Sequence, residues 1–414
     1  MTQRLYYADS FLYEFDAAIA RVIEAPSSDG RSALVLDRTA FYPTSGGQVF
    51  DTGKIFADGQ ELRVTEVAEA EDGAVLHFLE SPQRGLVAGA TVRGLIDRER
   101  RIDHMQQHSG QHLLSATFVR LFDLPTVSFH MGVESCSIDL DAKALSSAQI
   151  EAAEKMANEV VRENRSVTIR FVTQEEARAL GLRKLPSAER DQLRLIEIDN
   201  FDLSACGGTH VSGTAQIGAV QLRKVEKVRQ GVRVEFVCGE RARKTSRRDF
   251  DTLTEAAALL SAHLWDVPQQ VRKSIDQAKS GRKEVEKLQE ELAAMEAARI
   301  LQETPSSGTF KIIVKVLADC DTNYIKLLAQ KLVRQDTPAI ALLAGCVEPA
   351  TMVFAQSAGL PYDMGVLMKE VLARAGGRGG GSKDMAQGGP AQISDIATVL
   401  AAIAERLRAG SQSA

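Results

Sequence analysis

The sequence contains no apolar run near the roughly 20 residues that a bilayer-spanning helix needs. Its start, Met1-Thr2-Gln3-Arg4-Leu5, lacks the cationic segment, apolar core and small-residue cleavage site of a secretory signal. Both absences point away from membrane and secretory routes, so the cytoplasm is the expected location. Cysteine is scarce. There are five, Cys136, Cys206, Cys238, Cys320 and Cys346, in 414 residues. An odd number in a chain of this size argues against a disulfide framework and suits a reducing compartment. All but Cys206 read as small buried residues. Positive charge is not in excess either: the net charge is −5, so any basic surface must be local.

One such stretch exists. Arg223, Lys224, Lys227, Arg229, Arg233, Arg241, Arg243, Lys244, Arg247 and Arg248 are opposed within 223–248 only by Glu226, Glu235 and Glu240. Charge runs are usually solvated faces. That reading stands beside a nucleic-acid contact.

The expected fold class is α+β, in four parts. Residues 1–95 read as short strands forming a β-barrel: Ala33–Leu36 is an apolar run, Asp58-Gly59 marks a hairpin turn, and residues 62–67 alternate. A glycine-rich loop at Gly46-Gly47 belongs to this part. Residues 96–245 read as an α+β domain. It has a helix over Arg98–Phe122 and a second over 146–162, with Ser147 as cap and Glu151 in its first turn. Its strands are expected at 167–172, 194–198, 219–225 and 232–237. Residues 250–303 form a helical arm whose seam runs Leu253, Ala257, Leu260, Leu264, Val267, Val271, Ser274, Ala278, Gly281, Val285, Leu288, Leu292, Met295, Arg299, mostly small or apolar at coiled-coil spacing. Pro268 splits it, with Asp266 as a cap for the second helix. A self-packed hairpin and an intermolecular coiled coil both fit. Residues 309–414 form a C-terminal α/β part. It contains a glycine run, 376–383, too irregular for a Walker A loop or dinucleotide fingerprint; a phosphate cradle and a flexible loop both fit. A helix is expected over 393–407.

Two residue pairs carry the chemistry. His108 and His112 stand four apart on the first helix, so both rings project from one face. Cys206 and His210 stand four apart across Gly207-Gly208-Thr209, where glycine favours a tight turn. Together they offer three imidazoles and one thiolate, a set suited to tetrahedral Zn2+. A zinc-protease reading fails, because its general-base Glu would follow the first His and Ser109 stands there. His104, one turn before His108, is a spare ligand, a proton carrier or a packed histidine. His77 and His130 have no partner in the sequence.

His108-Ser109-Gly110-Gln111-His112-Leu113-Leu114 and Cys206-Gly207-Gly208-Thr209-His210 resemble the paired metal motifs of the alanyl-tRNA synthetase editing domain. Asp37-Arg38-Thr39-Ala40-Phe41-Tyr42-Pro43-Thr44-Ser45-Gly46-Gly47-Gln48, continued by Asp51-Thr52-Gly53, resembles that family's glycine-rich loop. Gly379-Gly380-Gly381-Ser382-Lys383-Asp384-Met385-Ala386-Gln387-Gly388-Gly389 resembles its C-terminal signature, shared with DHH-type phosphoesterases. A phosphoesterase would also need an N-terminal aspartate- and histidine-rich metal centre, which is not evident. The chain begins at the editing barrel, with no room for an aminoacylation domain. It is therefore similar to the freestanding AlaX-type editing proteins in their long form, and is not expected to charge tRNA.

The resemblance implies that His108, His112, Cys206 and His210 ligate zinc. It implies an aminoacyl-tRNA hydrolase that deacylates Ser-tRNA(Ala), and Gly-tRNA(Ala) as a second substrate. No side-chain base is assigned, and a water polarised by zinc is the expected nucleophile. Thr39 is the expected partner for the serine hydroxyl, with Gln48, Gly46 and Gly47 placing the substrate. Arg223, Lys224, Lys227, Arg229 and Arg233 are the expected tRNA contacts. The arm or the C-terminal part is expected to support a homodimer or to hold a distant part of the tRNA. A zinc-stabilised RNA-binding module without hydrolytic activity is the alternative.

Overall fold

The computed structural model describes residues 2–23, 32–81, 85–180, 182, 192–229, 231–390 and 396–411. The chain divides into two compact units, Met1–Glu255 and Ala256–Ala414.

In the first unit, six strands close into a barrel in the order Glu14–Ile23, Ala33–Leu36, Val75–Leu79, Gln60–Glu69, Gly53–Ala57, Thr91–Ile96. Every pair in it is antiparallel. Alternating strand residues fill the inside with Phe15, Ile19, Leu34, Leu36, Ile55, Leu62 and Val64, and Phe41 joins them from the loop. The Asp58-Gly59 turn joins Ala57 to Gln60 as expected, with Asp58 at φ +47°.

Helix α1, Arg98–Phe122, follows the barrel. Asp97 caps it by accepting from Arg100 N, and the chain leaves through Asp123 in the left-handed region. Most of its residues from Met105 to Phe118 are buried, because it lies between the barrel loop and two sheets. One sheet orders Val220–Val228, Gly231–Cys238, Cys136–Leu140 and Thr126–Met131. The other orders Val167–Val172, Leu193–Ile198 and Asp202–Ala205. Helix α2, Ser147–Glu163, starts one residue later than expected and is capped by Ser146, not Ser147. Gln149 completes a capping box, and its first turn contains no acid, so Glu151 lies beyond it. A short helix α3, Gln174–Ala179, follows with its own box from Thr173 and Glu176.

Helix α4 spans Gly239–Leu259. The helical stretch thus begins eleven residues before the expected 250, and Arg241, Arg243, Lys244, Arg247 and Arg248 are helical. Helix α5, Val267–Glu303, has Pro268 in its first turn, where proline lacks no needed donor. Asp266 occupies the cap position but makes no capping bond. Near its end Ala293, Ala297, Ile300 and Leu301 pack against Tyr324, Ile325 and Leu328. The seam residues Val271, Val285, Leu288, Leu292 and Met295 remain exposed, so a neighbouring stripe is the one that packs.

The second unit is built on a six-stranded sheet ordered Ser306–Ser307, Phe310–Leu317, Ala339–Gly345, Thr351–Gln356, Met385–Pro390, Gly377–Gly381. Its one parallel pair, Phe310–Leu317 with Ala339–Gly345, is connected through α6, Thr322–Val333. Helices α7, Met364–Ala375, and α8, Ile396–Ser411, cover it. The glycine run is not a loose loop: its segment Gly377–Gly381 forms an edge strand paired residue by residue with Ala386–Pro390. Ile393, where the last helix was expected to start, lies outside the described residues. Cys136 and Cys238 are buried as expected, but Cys320 and Cys346 are partly exposed.

Candidate metal centre

Helical spacing places His108 and His112 one above the other on α1, with ring centroids 5.3 Å apart. The strand Asp202–Ala205 delivers Cys206 and His210 opposite them. The His210 ring centroid is 4.5 Å from that of His108 and 4.6 Å from that of His112. Cys206 Sγ lies 3.5 Å from His108 Nε2 and 3.3 Å from His210 Nε2. One donor atom from each of the four comes within 4.8 Å of all the others. Such a group can hold a metal ion.

The turn depends on its glycine. A Cβ on Gly208 would stand 2.1 Å from His108 Cε1, so no larger residue lets the two motifs meet. Gly208 N–H donates to Cys206 Sγ at 3.3 Å. Beneath the turn, the buried Arg194 donates to the carbonyls of Cys206, at 2.7 Å, and Gly208, at 2.9 Å. Its guanidinium lies over the Tyr7 ring. Nothing in the sequence marked Arg194, because charged strand residues ordinarily face water.

Two imidazoles have a hydrogen-bond partner at the nitrogen turned away from the group: His108 Nδ1 is 2.7 Å from Gln48 Oε1 and His210 Nδ1 is 3.1 Å from Ser109 Oγ. That is how metal-binding histidines are oriented. The buried His112 Nδ1 makes no hydrogen bond among the described residues and has only the Asp202 carboxylate near it, at 3.4 Å. Burial raises the Cys206 thiol, but the surrounding imidazoles, His108 foremost, outweigh it and hold it well below the ordinary thiol range. Burial drives His210 down to about 3. His104 is not in the group. It is buried, its Nδ1 has no partner among the described residues, and burial together with Arg100 lowers it to about 4.

A cavity of about 420 Å³ opens on His108, His112 and Cys206, with Tyr42, Gly46, Gln111, Phe129 and Ser204 also in its wall. Gln111 was passed over in the sequence, although three residues after His108 it shares the ligand face. Its amide nitrogen donates to Ser115 Oγ at 2.8 Å. Gly47, at φ +86°, packs against Phe129, where a Cβ would stand 2.7 Å from Cδ1. Phe129 in turn stacks on His108.

Thr39 and Gln48 do not line this cavity; both are fully buried. The Thr39 hydroxyl meets His77 Nε2 at 2.8 Å and accepts from Phe41 N–H at 3.1 Å. His77 thus has a partner the sequence did not show. Its Nδ1 meets the Leu34 carbonyl at 2.9 Å, and burial lowers it to about 4. His130 is exposed.

The basic stretch is more neutralised than its sequence suggests. Arg223 pairs with Asp249 and Lys224 with Glu226, while Arg233 pairs with Asp139. Arg241 pairs with Asp103, Arg247 with Asp251 and Arg248 with Glu134. The fold brings in acids from distant segments, so the count of three was too low. Among the described residues, Lys227 and Arg229 make no ion pair.

Family models match three segments. Residues 10–100 match tRNA synthetases class II (A), residues 193–234 the threonyl and alanyl tRNA synthetase second additional domain, and residues 309–409 the DHHA1 domain. The alanine–tRNA ligase of Pyrococcus furiosus is 33% identical over 97% of this chain, and that of Thermococcus kodakarensis is 32% identical over 94%. The chain spans only 43% and 41% of their lengths. The barrel, the metal group and these segments together define a protein built from the accessory domains of alanyl-tRNA synthetases. The alanyl-tRNA editing protein AlaX-L of Pyrococcus horikoshii is 30% identical over 96% of this chain and 98% of its own. The chain belongs to this alanyl-tRNA editing family.

Proposed function

We propose that the protein removes wrongly attached serine from tRNA(Ala), with glycine as a second substrate, and acts in trans on tRNA charged by another enzyme. The observation that carries this reading is the convergence of His108, His112, Cys206 and His210 beside a cavity large enough for an aminoacyl group. Three imidazoles and a thiolate fit zinc, and the Nδ1 partners of His108 and His210 leave Nε2 of those rings for it. Bound zinc would supply Lewis-acid polarisation of the ester and of water, the nucleophile. The chain's own groups do the rest. Gln48, Asp202 and Ser109 aim the imidazoles, Arg194 holds the Cys206–Gly208 turn, and Phe129 with the glycine-rich loop shapes the cavity.

Sparing alanine is the harder task, because alanine enters any pocket that serine enters. A site that bonds the serine hydroxyl can disfavour the substrate lacking it by up to about 10⁴–10⁵. Two groups fit that role. The Leu34 carbonyl must accept from His77 Nδ1, which leaves Nε2 bare, so the Thr39 hydroxyl donates to His77. With Phe41 N–H on one lone pair, Thr39 offers only an acceptor. Gln111 stands in the cavity wall with its amide nitrogen committed to Ser115, which leaves its carbonyl oxygen as an acceptor.

For tRNA, Lys227 and Arg229 near the tip of the Val220–Val228/Gly231–Cys238 hairpin are the cations free to meet phosphates. The exposed heptad positions of α5 favour a homodimer, which sedimentation would reveal as twice the chain mass. The reading carries a cytoplasmic location. No described helix is long and apolar enough to cross a membrane.

The test is deacylation of Ser-, Gly- and Ala-tRNA(Ala) side by side. Loss of serine with alanine spared supports the proposal. A zinc-loaded protein that binds the tRNAs and releases none of the amino acids would instead be an RNA-binding module.

A further inference from the structure

Gln48 is fully enclosed at the end of the glycine-rich loop, and both ends of its amide are engaged. Thr209 N–H lies 3.1 Å from Oε1, and a backbone N–H can only donate, so that end is the carbonyl oxygen. The amide nitrogen at the other end donates to Thr209 Oγ1 at 2.8 Å. His108 Nδ1 is 2.7 Å from the same Oε1 and must therefore carry its proton. Nε2 is then the bare nitrogen, and it is the one facing Cys206 Sγ. A single side chain thus fixes the tautomer of one ligand and grips the segment that holds two others.

Both ends of the Gln48 amide are already spent on Thr209 and His108. Its side-chain hydrogen bonds go to one member of the metal group, His108, and to Thr209 in the turn between two others. The loop has a second link to the same imidazole, because Phe129 lies between the His108 ring and the Gly47 backbone. Gly46, two residues before Gln48, stands in the cavity wall.

We infer that Gln48 is a positioning residue that couples the glycine-rich loop to the metal group, so that metal loading and the ordered loop stabilise each other. The inference rests on the proposed zinc reading. A partner held at Nδ1 orients the ring and raises its basicity toward the metal. By linkage, whatever the ordered loop adds to metal affinity, the metal returns to the loop.

The experiment uses the full chain and zinc alone. Zinc affinity is measured by competition with a chromophoric chelator, and amide hydrogen exchange across residues 44–48 is followed with and without zinc. In the wild type, zinc is expected to slow exchange in the loop. Gln48→Leu, which keeps the bulk and removes the acceptor, is expected to bind zinc about 10–100-fold more weakly and to lose that protection. Gln48→Glu keeps an acceptor oxygen for both His108 Nδ1–H and Thr209 N–H, and should hold affinity within about threefold of wild type or tighten it. Wild-type affinity in Gln48→Leu would overturn the coupling, as would equal loss in both variants or a wild-type loop whose exchange ignores zinc. That last measurement stands even if a variant fails to fold. A wild type that binds no zinc would instead defeat the metal reading beneath it.

Discussion

Replacing Arg101 by methionine tests how the barrel holds α1 in place. Arg101 sits in the first turn of α1 and is completely buried, as is its partner Asp51. Nη1 donates to Ser10 O at 2.8 Å, Nη2 to Ala40 O at 2.6 Å, and the guanidinium also pairs with Asp51. Asp51 Oδ2 accepts from Tyr42 N–H at 2.7 Å. Methionine fills much of the same volume but leaves the Asp51 charge and two carbonyls without the cation. Removing one partner of a buried pair costs about 3–5 kcal/mol. At about 2–4 °C per kcal/mol for a unit of this size, the melting temperature should fall by roughly 6–20 °C. Replacing both partners, Arg101→Met with Asp51→Leu, removes the stranded charge and should recover most of the loss. Differential scanning calorimetry and urea titration of Arg101→Met, Asp51→Leu and the double variant measure this directly. If Arg101→Met costs under about 1 kcal/mol, or the double variant loses the sum of the singles, the buried-charge argument is wrong.

Stability should also fall with acid through two buried histidines. His77 and His104 sit at about 4 in the folded chain against an ordinary 6.5, so between those values the unfolded state binds more protons. Their contribution is complete above pH 6.5 and drains away toward pH 4, about 2–4 kcal/mol for each; a urea midpoint flat over that range would refute this. For specificity, Thr39→Val and Gln111→Leu are compared in serine-to-alanine deacylation ratios. The side chain that reads the hydroxyl should lose at least about a hundredfold of the ratio, and unchanged ratios in both would exclude both. Lys227→Ala and Arg229→Ala should each lower the salt slope of tRNA binding by about 1, whereas Arg233→Ala, already paired with Asp139, should leave it unchanged.

The sequence showed what is local and periodic. The α1 boundaries, the strand Val167–Val172 and the His108/His112 pair follow from spacing that any helix or strand imposes. The second ligand pair was visible because glycine between Cys206 and His210 signals a turn. What stayed hidden is long-range. Asp202 and Arg194 carry no local signature, since their partners arrive from other segments. The substrate roles of Thr39 and Gln48 came from the resemblance alone, and their full burial has no signature in the sequence, since it depends on strand pleating and the loop's reversal. The basic stretch looked strong because Asp103, Glu134 and Asp139 reach it only through the fold. The glycine run at 376–383 read as a cradle or a loop by composition, although partner-strand hydrogen bonds make its segment Gly377–Gly381 an edge strand.

The most direct measurement pairs zinc content with chemistry. Wild type, Cys206→Ala and a chelator-stripped chain that stays folded by circular dichroism are each assayed for bound zinc and for release of serine from Ser-tRNA(Ala). One zinc per chain in the wild type, with serine release lost whenever the zinc is lost and restored on its return, is the expected result. Full-rate release from a folded, zinc-free chain would contradict it.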